Sequence, residues 1–205
     1  MNRTAKFWDR MAARYVRQPV KDEESYQKKL EITRGYLRPD MEVLEFGCGS
    51  GATALTHAPH VKHVKAIDIS SNMLDVGRQK ANETGVANIT FLHDTIEEFD
   101  APEESFDVVL GLSILHLLSN KEAAIAKIHK LLKPGGIFVS STICAADSSF
   151  IFKLATPIGR LFGLVFRAFT ATDLKKAMTD AGFTIDHEWR PGAGKAVFLI
   201  AKKSN

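Results

Sequence analysis

The stretch VLEFGCGSGAT, Val43 to Thr53, decides the fold. Val43, Leu44 and Phe46 make a short apolar run of the kind a buried strand presents. Gly47, Gly49 and Gly51 follow at alternate positions, which allows a tight turn and a close approach of backbone to a ligand. From Ala52 onward, ATALTHA can start a helix, whose first N–H groups lack partners inside the helix and point back at the turn. A strand, a glycine-rich turn and a helix form the first third of a nucleotide-binding βαβ unit.

The glycines alone do not choose the ligand. Gly47-x-Gly49-x-x-Ala52 also satisfies the permissive dinucleotide pattern, and Asp68 lies at about the distance expected of an acid that holds a ribose hydroxyl. Glu45, two residues before the first glycine, discriminates. A pyrophosphate at this turn would be repelled by so near a carboxylate, whereas a cofactor carrying an ammonium and a sulfonium would be attracted. With Glu45 in place, the run resembles the first motif of the class I S-adenosylmethionine-dependent methyltransferases of small-molecule type. That motif reads hydrophobic-hydrophobic-Glu/Asp-hydrophobic-Gly-x-Gly-x-Gly.

Four further pieces extend the resemblance. KAIDIS, Lys65 to Ser70, reads as a second strand ending in an acid, and Asp68 matches the family's ribose-binding position. A carboxylate suits that role because it can accept two hydrogen bonds at once. ITFLHDTIEEF, Ile89 to Phe99, is a third strand followed by Asp94, where the family sets an acid against the adenine amino group with the next backbone N–H near the ring. SFDVVLGLSILHLL, Ser105 to Leu118, is the fourth strand and its exit; LLKPGGIFVSST, Leu131 to Thr142, is a helix end, a Pro-Gly-Gly turn and a fifth strand. All five pieces match in order and spacing over roughly Asp40 to Thr142, and the ends match more loosely. The resemblance implies S-adenosylmethionine as cofactor. It implies contacts from Glu45, Phe46, Gly47, Cys48, Gly49 and Gly51, from Asp68, Ile69 and Met73, from Asp94, Thr95 and Ile96, and from Gly111 and Leu112.

The chain has 205 residues, 45% hydrophobic, with net charge +3, which fits a single globular domain and argues neither for nor against an anionic partner. Two cysteines, Cys48 and Cys144, are too few for a disulfide framework, and Cys48 reads as a small residue in the turn rather than a catalytic thiol. The start, MNRTAKFWDRMAARYVRQ, has no apolar core of signal-peptide length, so a reducing cytoplasmic setting is the expectation. No cysteine and histidine cluster has metal-ligand spacing, so no metal is expected, and no long basic run with interleaved aromatics points to nucleic acid.

Alternating strand and helix patterns from residue 41 to 142 predict an α/β fold. The expected architecture is a doubly wound, mostly parallel seven-stranded sheet with an antiparallel C-terminal strand and helices on both faces. The division expected is one methyltransferase domain over 1–205, comprising an N-terminal helical cap at 1–38, a cofactor-binding core at 39–144, a substrate-covering insertion at 145–171, and a C-terminal helix and strand pair at 172–205. Ser71 to Gly85 reads as a helix with a serine start and a glycine stop, and Asn120 starts another that stops at Pro134-Gly135-Gly136. TDLKKAMTDAG is a further helix, and PGAG joins the strands FTIDHEWR and KAVFLIAKK.

Two segments lie outside this core. FWDRMAARY, Phe7 to Tyr15, resembles the N-terminal lid of small-molecule members, in which a tyrosine at the position of Tyr15 leans over the cofactor; the other reading is an amphipathic helix packing Phe7, Trp8 and Met11 on the domain. In Ser148 to Asp173 a helix started at Thr156-Pro157 is nearly all apolar except Arg160 and Arg167, which share one face, and Lys153 would join them if the helix began earlier. Those cations bar a spanning helix, at about 2.5–3.5 kcal/mol each at a membrane centre. Three readings stand: a buried helix with snorkelling arginines, a lid over an apolar substrate, or a peripheral membrane contact through 150–169.

Methyl transfer from a sulfonium is an in-line displacement, for which the protein mainly positions and desolvates the nucleophile. His116, after the fourth strand, is the candidate base, since a neutral imidazole accepts a proton near pH 7; the alternative is that it shapes the pocket. Gly111-Leu112-Ser113-Ile114 stands where enzymes acting on amino groups often carry Asn/Asp-Pro-Pro-aromatic. The expected function is therefore methylation of a small apolar or amphipathic acceptor. A nicotinamide-dependent oxidoreductase and a non-catalytic cofactor-binding protein of the same fold are the competing readings.

Overall fold

In a computed structural model of the chain, residues 3–18, 22–147, 168–192 and 195–205 are described. Seven strands form one sheet in the order β3-β2-β1-β4-β5-β7-β6, the α/β architecture expected from the sequence. Residues 1–99 and 100–205 make two compact units.

The first unit runs α1 (Arg3–Val16), α2 (Glu23–Arg34), β1 (Glu42–Phe46), α3 (Ala52–His57), β2 (His63–Asp68), α4 (Ser71–Thr84) and β3 (Ile89–His93). Its three strands are parallel: Glu45 stands opposite Ala66 on β2, and Asp68 opposite His93 on β3. Val43, Leu44, Phe46, Val64, Ala66 and Ile67 are essentially inaccessible, the continuous apolar pattern of strands covered on both faces. α2 starts at Asp22, whose carboxylate accepts the Ser25 N–H, and α4 starts at Ser70, whose hydroxyl accepts the Met73 N–H. α4 ends on Gly85 in the left-handed conformation, as a glycine stop requires. Phe91 lies where side chains are missing on both sides: a Cβ on Gly51 would come within 2.6 Å of its ring and one on Gly77 within 2.7 Å. The ring thereby fixes the start of α3 against the middle of α4.

The second unit runs β4 (Phe106–Leu112), α5 (Lys121–Leu131), β5 (Leu132–Thr142), α6 (Ala171–Asp180), β6 (Phe183–Trp189) and β7 (Val197–Lys203). β5 is parallel to β4, and β7 is antiparallel to both β5 and β6. Asn120 caps α5, and Thr170 with Asp173 forms a reciprocal capping box on α6. The expected stop of α5 at Pro134-Gly135-Gly136 is corrected: the helix ends at Leu131, and Leu132 is already extended and paired with Phe106. A proline disfavours helical backbone at the residue before it and clashes with the carbonyl four back, so the helix has to end sooner. The Pro-Gly-Gly run lies within β5, where the register slips between Phe106 and Val108. Lys133 Nζ donates to Asp107 Oδ2 at 2.7 Å across this irregularity.

Most of the expected insertion, 148–167, and with it Lys153, Arg160 and Arg167, lies outside the described residues. Its two ends are held together: Ala146 N donates to the Phe169 carbonyl, and Asp147 Oδ2 accepts from both Ala171 N and Arg190 Nη1. Among the described residues no helix is long and apolar enough to cross a membrane.

Candidate cofactor site

The turn after β1 is shaped by backbone that side chains disfavour. Gly49 has φ +53°, and a Cβ built there would find nothing within 4 Å. The turn therefore faces open space at Gly49, while Gly51, at φ +70°, is closed off by Phe91. Three hydrogen bonds brace the loop: Cys48 N donates to the Ile67 carbonyl at 3.1 Å, Gly51 N to the Cys48 carbonyl at 3.0 Å, and Gly49 N to Asp68 Oδ2 at 2.8 Å. Cys48 is buried, and burial followed by the nearby Glu45 and Asp68 carboxylates pushes its thiol well above its ordinary value. Burial thus keeps the Cys48 thiol protonated.

Glu45 is the anomaly of the unit. It is 3% exposed, and its Oε2 has no hydrogen-bond partner. Burial raises its pKa to about 8, with the Asp68 charge adding to the rise and the Ala54 backbone N–H opposing it. A buried carboxyl without a partner for one oxygen costs free energy unless a donor or cation meets it. Together with the vacant space at Gly49, this fits a ligand carrying positive charge, and an ammonium or sulfonium group meets that requirement.

Asp68 ends β2 and is buried, with both oxygens engaged: Oδ2 accepts from Gly49 N and Oδ1 from Ser70 N, each at 2.8 Å. A carboxylate has about four lone-pair positions, so each oxygen retains capacity for a ligand hydroxyl. Burial raises its pKa, opposed by the Ser70 and Gly49 N–H groups. Beyond it, Ile69 offers its carbonyl to His93 Nε2 at 2.8 Å, and Met73 is 2% exposed in the first turn of α4. Asp94 N donates to the Asp68 carbonyl, tying the end of β3 to the end of β2. The Thr95 N–H, expected near an adenine ring, donates to Asp94 Oδ1 at 2.7 Å, and Ile96 is buried beside them. Residues on three strand ends of one unit are thus joined by short bonds into one cradle. Tyr15 lies in α1, and its side chain is outside those described.

Gly111, Leu112 and His116 belong to the second unit. Gly111 pairs with Ser140 and Leu112 with Ser141 on β5, and Ser113 then turns the chain at φ +60°. His116 follows in a single 3₁₀ turn and is 7% exposed. Burial lowers its pKa to about 4. The expectation of an imidazole titrating near pH 7 is corrected on this ground: His116 is neutral throughout the physiological range, able to accept a proton but poorly able to keep one.

Sequence reasoning missed Asp9. Its Oδ1 accepts from Ser70 Oγ at 2.7 Å and Asn72 N at 3.3 Å, and its carbonyl accepts from Asn72 Nδ2 at 3.0 Å. Its partners are more than sixty residues away in the chain, so no local pattern could have shown it. Among the described residues no group of three or more His, Cys, Asp or Glu side chains is placed to hold a metal ion.

Comparison with known proteins agrees with this geometry. Residues 43–136 match a family described as a methyltransferase domain. The ubiquinone biosynthesis O-methyltransferase of Hahella chejuensis is 35% identical over 117 residues, which is 57% of this chain and 49% of the relative. The ubiquinone/menaquinone biosynthesis C-methyltransferase UbiE of Shewanella pealeana is 34% identical over 113 residues, covering 53% and 45%. The crystal structure of the Bacillus subtilis YcgJ protein superimposes with a TM-score of 0.74 at 18% identity, covering 87% of this chain and 99% of that one. The stretch 43–136 is thus similar to methyltransferase domains, and the fold is one that solved S-adenosylmethionine-dependent methyltransferases share. It spans about half the length of the curated relatives it matches.

Proposed function

We propose that this chain transfers a methyl group from S-adenosylmethionine to a small apolar or amphipathic molecule, working as one methyltransferase domain. The observation that carries the reading is Glu45, a buried carboxyl with an unpartnered oxygen beside an open glycine turn. Bound there, the cofactor would supply a methyl carbon activated by its sulfonium, to which an acceptor's lone pair would bond as the C–S electron pair left with sulfur. Glu45 would offset the cofactor's positive charge, Asp68 would accept from the ribose hydroxyls, and Asp94 with the Thr95 backbone would hold the adenine. The acceptor's class is supported by the apolar character of 148–173 and by two relatives whose names place them in quinone biosynthesis. Those names cover both O- and C-methylation, so the atom methylated is left to experiment.

The test is turnover of S-adenosylmethionine to S-adenosylhomocysteine with a panel of phenolic, quinol-type and fatty-acyl acceptors, run with and without anionic vesicles. Turnover confined to the apolar acceptors is the expected result, and stimulation by vesicles would favour membrane contact through 150–169 over a simple lid. Binding of NADH in place of S-adenosylmethionine would end the reading in favour of an oxidoreductase. Cofactor binding without turnover on any acceptor would favour the non-catalytic alternative.

His116 is proposed as the base for a hydroxyl acceptor. With its pKa near 4, it is deprotonated at all working pH values. At saturating cofactor, protonation of His116 should then lower kcat only as pH drops toward about 4, below the range in which affinity and stability already decline, and His116→Ala should lower kcat about a hundredfold or more while sparing cofactor affinity. Retained turnover in the variant assigns the residue to packing.

A further inference from the structure

We infer that Asp9, on the N-terminal helix α1, is a positioning residue that sets the orientation of Asp68 through Ser70, and so governs cofactor affinity without touching the cofactor. The inference rests on the assignment of Asp68 to the cofactor. It begins at the N-terminus of α4, where the first N–H groups need partners from outside the helix. Ser70 satisfies Met73 N through its hydroxyl at 3.2 Å, the ordinary work of a cap. Asn72 N is met by Asp9 Oδ1 from another helix. The same oxygen accepts the Ser70 hydroxyl proton at 2.7 Å, the short length of a charge-assisted bond. The Asn72 side chain then returns to the Asp9 carbonyl, so α1 and α4 are clamped by side chain and backbone together.

Ser70 is fully buried. Its hydroxyl has no water to turn to, so its rotamer is decided by Asp9 on one side and Met73 N on the other. Its own N–H is one of the two donors that hold the Asp68 carboxylate; the other is Gly49 N in the glycine turn. A continuous hydrogen-bonded path therefore runs from Asp9 through Ser70 and Asp68 to Gly49. Removing the first member frees the Ser70 hydroxyl and leaves Asn72 N uncapped. The Ser70 N–H remains, but the residue that carries it loses one of its two anchors, and the plane of Asp68 is held less firmly. A ligand that needs both carboxylate oxygens in a set plane binds more weakly to such a group.

Calorimetric titration with S-adenosylhomocysteine tests this. Asp9→Ala is expected to raise Kd about tenfold, as loss of a charged hydrogen bond would, with kcat at saturating cofactor unchanged. Asp9→Asn keeps an acceptor oxygen in the same place and should restore affinity to within about threefold of the parent. In a Ser70→Ala background the Asp9→Ala change should have no further effect, because the path is already cut. A role confined to holding α1 on the domain predicts something else: a lower Tm for Asp9→Ala with unchanged Kd well below it, and that result overturns the inference. An equal tenfold loss in the Ser70→Ala background overturns it too. If the alanine variant does not fold, Asp9→Glu serves, since the charge remains while the oxygens move by a methylene; parent-like affinity there is equally fatal. Asp68→Ala run alongside separates the two levels. Unchanged affinity in that variant removes the site assignment and this inference with it, whereas loss in Asp68→Ala beside parent-like Asp9→Ala removes the inference alone.

Discussion

Exchanging Glu45 for glutamine is expected to strengthen the unliganded protein at neutral and alkaline pH while weakening S-adenosylmethionine binding by about ten- to a hundredfold. The two effects have one origin. In the unfolded chain Glu45 ionises near its ordinary value of 4.5, and in the folded protein burial holds the proton until about pH 8. The folded state thus binds the extra proton between those limits, so stability falls as pH rises from 4.5 to about 8. At about 1.4 kcal/mol per unit, the whole interval amounts to roughly 5 kcal/mol. Glutamine has no such ionisation, and most of that loss should vanish in the variant. The parent recovers function from the same strain, because a bound ammonium would favour the ionised carboxylate that burial alone disfavours. Cofactor binding by the parent should therefore release a proton below pH 8, and affinity should rise by up to about tenfold per pH unit on approaching it. Calorimetry in buffers of different ionisation enthalpy reads the proton directly. Denaturant unfolding of the two proteins at pH 6 and pH 8 reads the stability. A glutamine variant that is no more stable at pH 8, and that binds cofactor as the parent does, removes Glu45 from the site.

Much of this was legible in the chain because the signals are local. The three turn glycines, the serine and asparagine starts of α4 and α5, and the acids ending β2 and β3 each announce themselves within a few residues, and the structure places them on the expected elements. What could not be read is what depends on distant partners. The Asp9 clamp joins side chains far apart in sequence, and an aspartate in the middle of α1 looks like any solvated helix residue. The Pro-Gly-Gly run was identified as a breaker, but the place where the helix gives way depends on Leu132 finding Phe106 on the neighbouring strand. His116 shows the same limit: its position after β4 is a matter of pattern, while its pKa is set by burial, which pattern does not reveal.

Acid should destabilise the protein progressively below about pH 6.5, and His57→Leu should lessen that loss. His57 lies in α3 at 1% exposure, and neither ring nitrogen has a hydrogen-bond partner. Burial first, then the charges of His60 and Arg34, lowers its pKa to about 4. His116 is lowered to about 4 as well, by burial. For a base whose folded pKa is depressed, the stability is present above the unfolded value of 6.5 and is lost as pH falls from there toward 4. Each histidine then costs up to about 3.4 kcal/mol, and the pair roughly 7, comparable with the whole stability of an ordinary domain. Over part of that range Glu45 works in the opposite sense, since its protonation stabilises the fold, but one carboxyl offsets only one of the two histidines. The net expectation is a stability maximum near pH 6.5. Leucine at 57 is close to histidine in size and carries no orphaned polar atoms, so it should stabilise the protein even at pH 7 and remove most of the net acid loss, Glu45 then roughly offsetting His116 alone. Denaturant unfolding of parent and variant between pH 4 and 8 decides the matter. Parallel stability curves, with no widening gap below pH 6.5, would show that His57 is not a source of the acid lability.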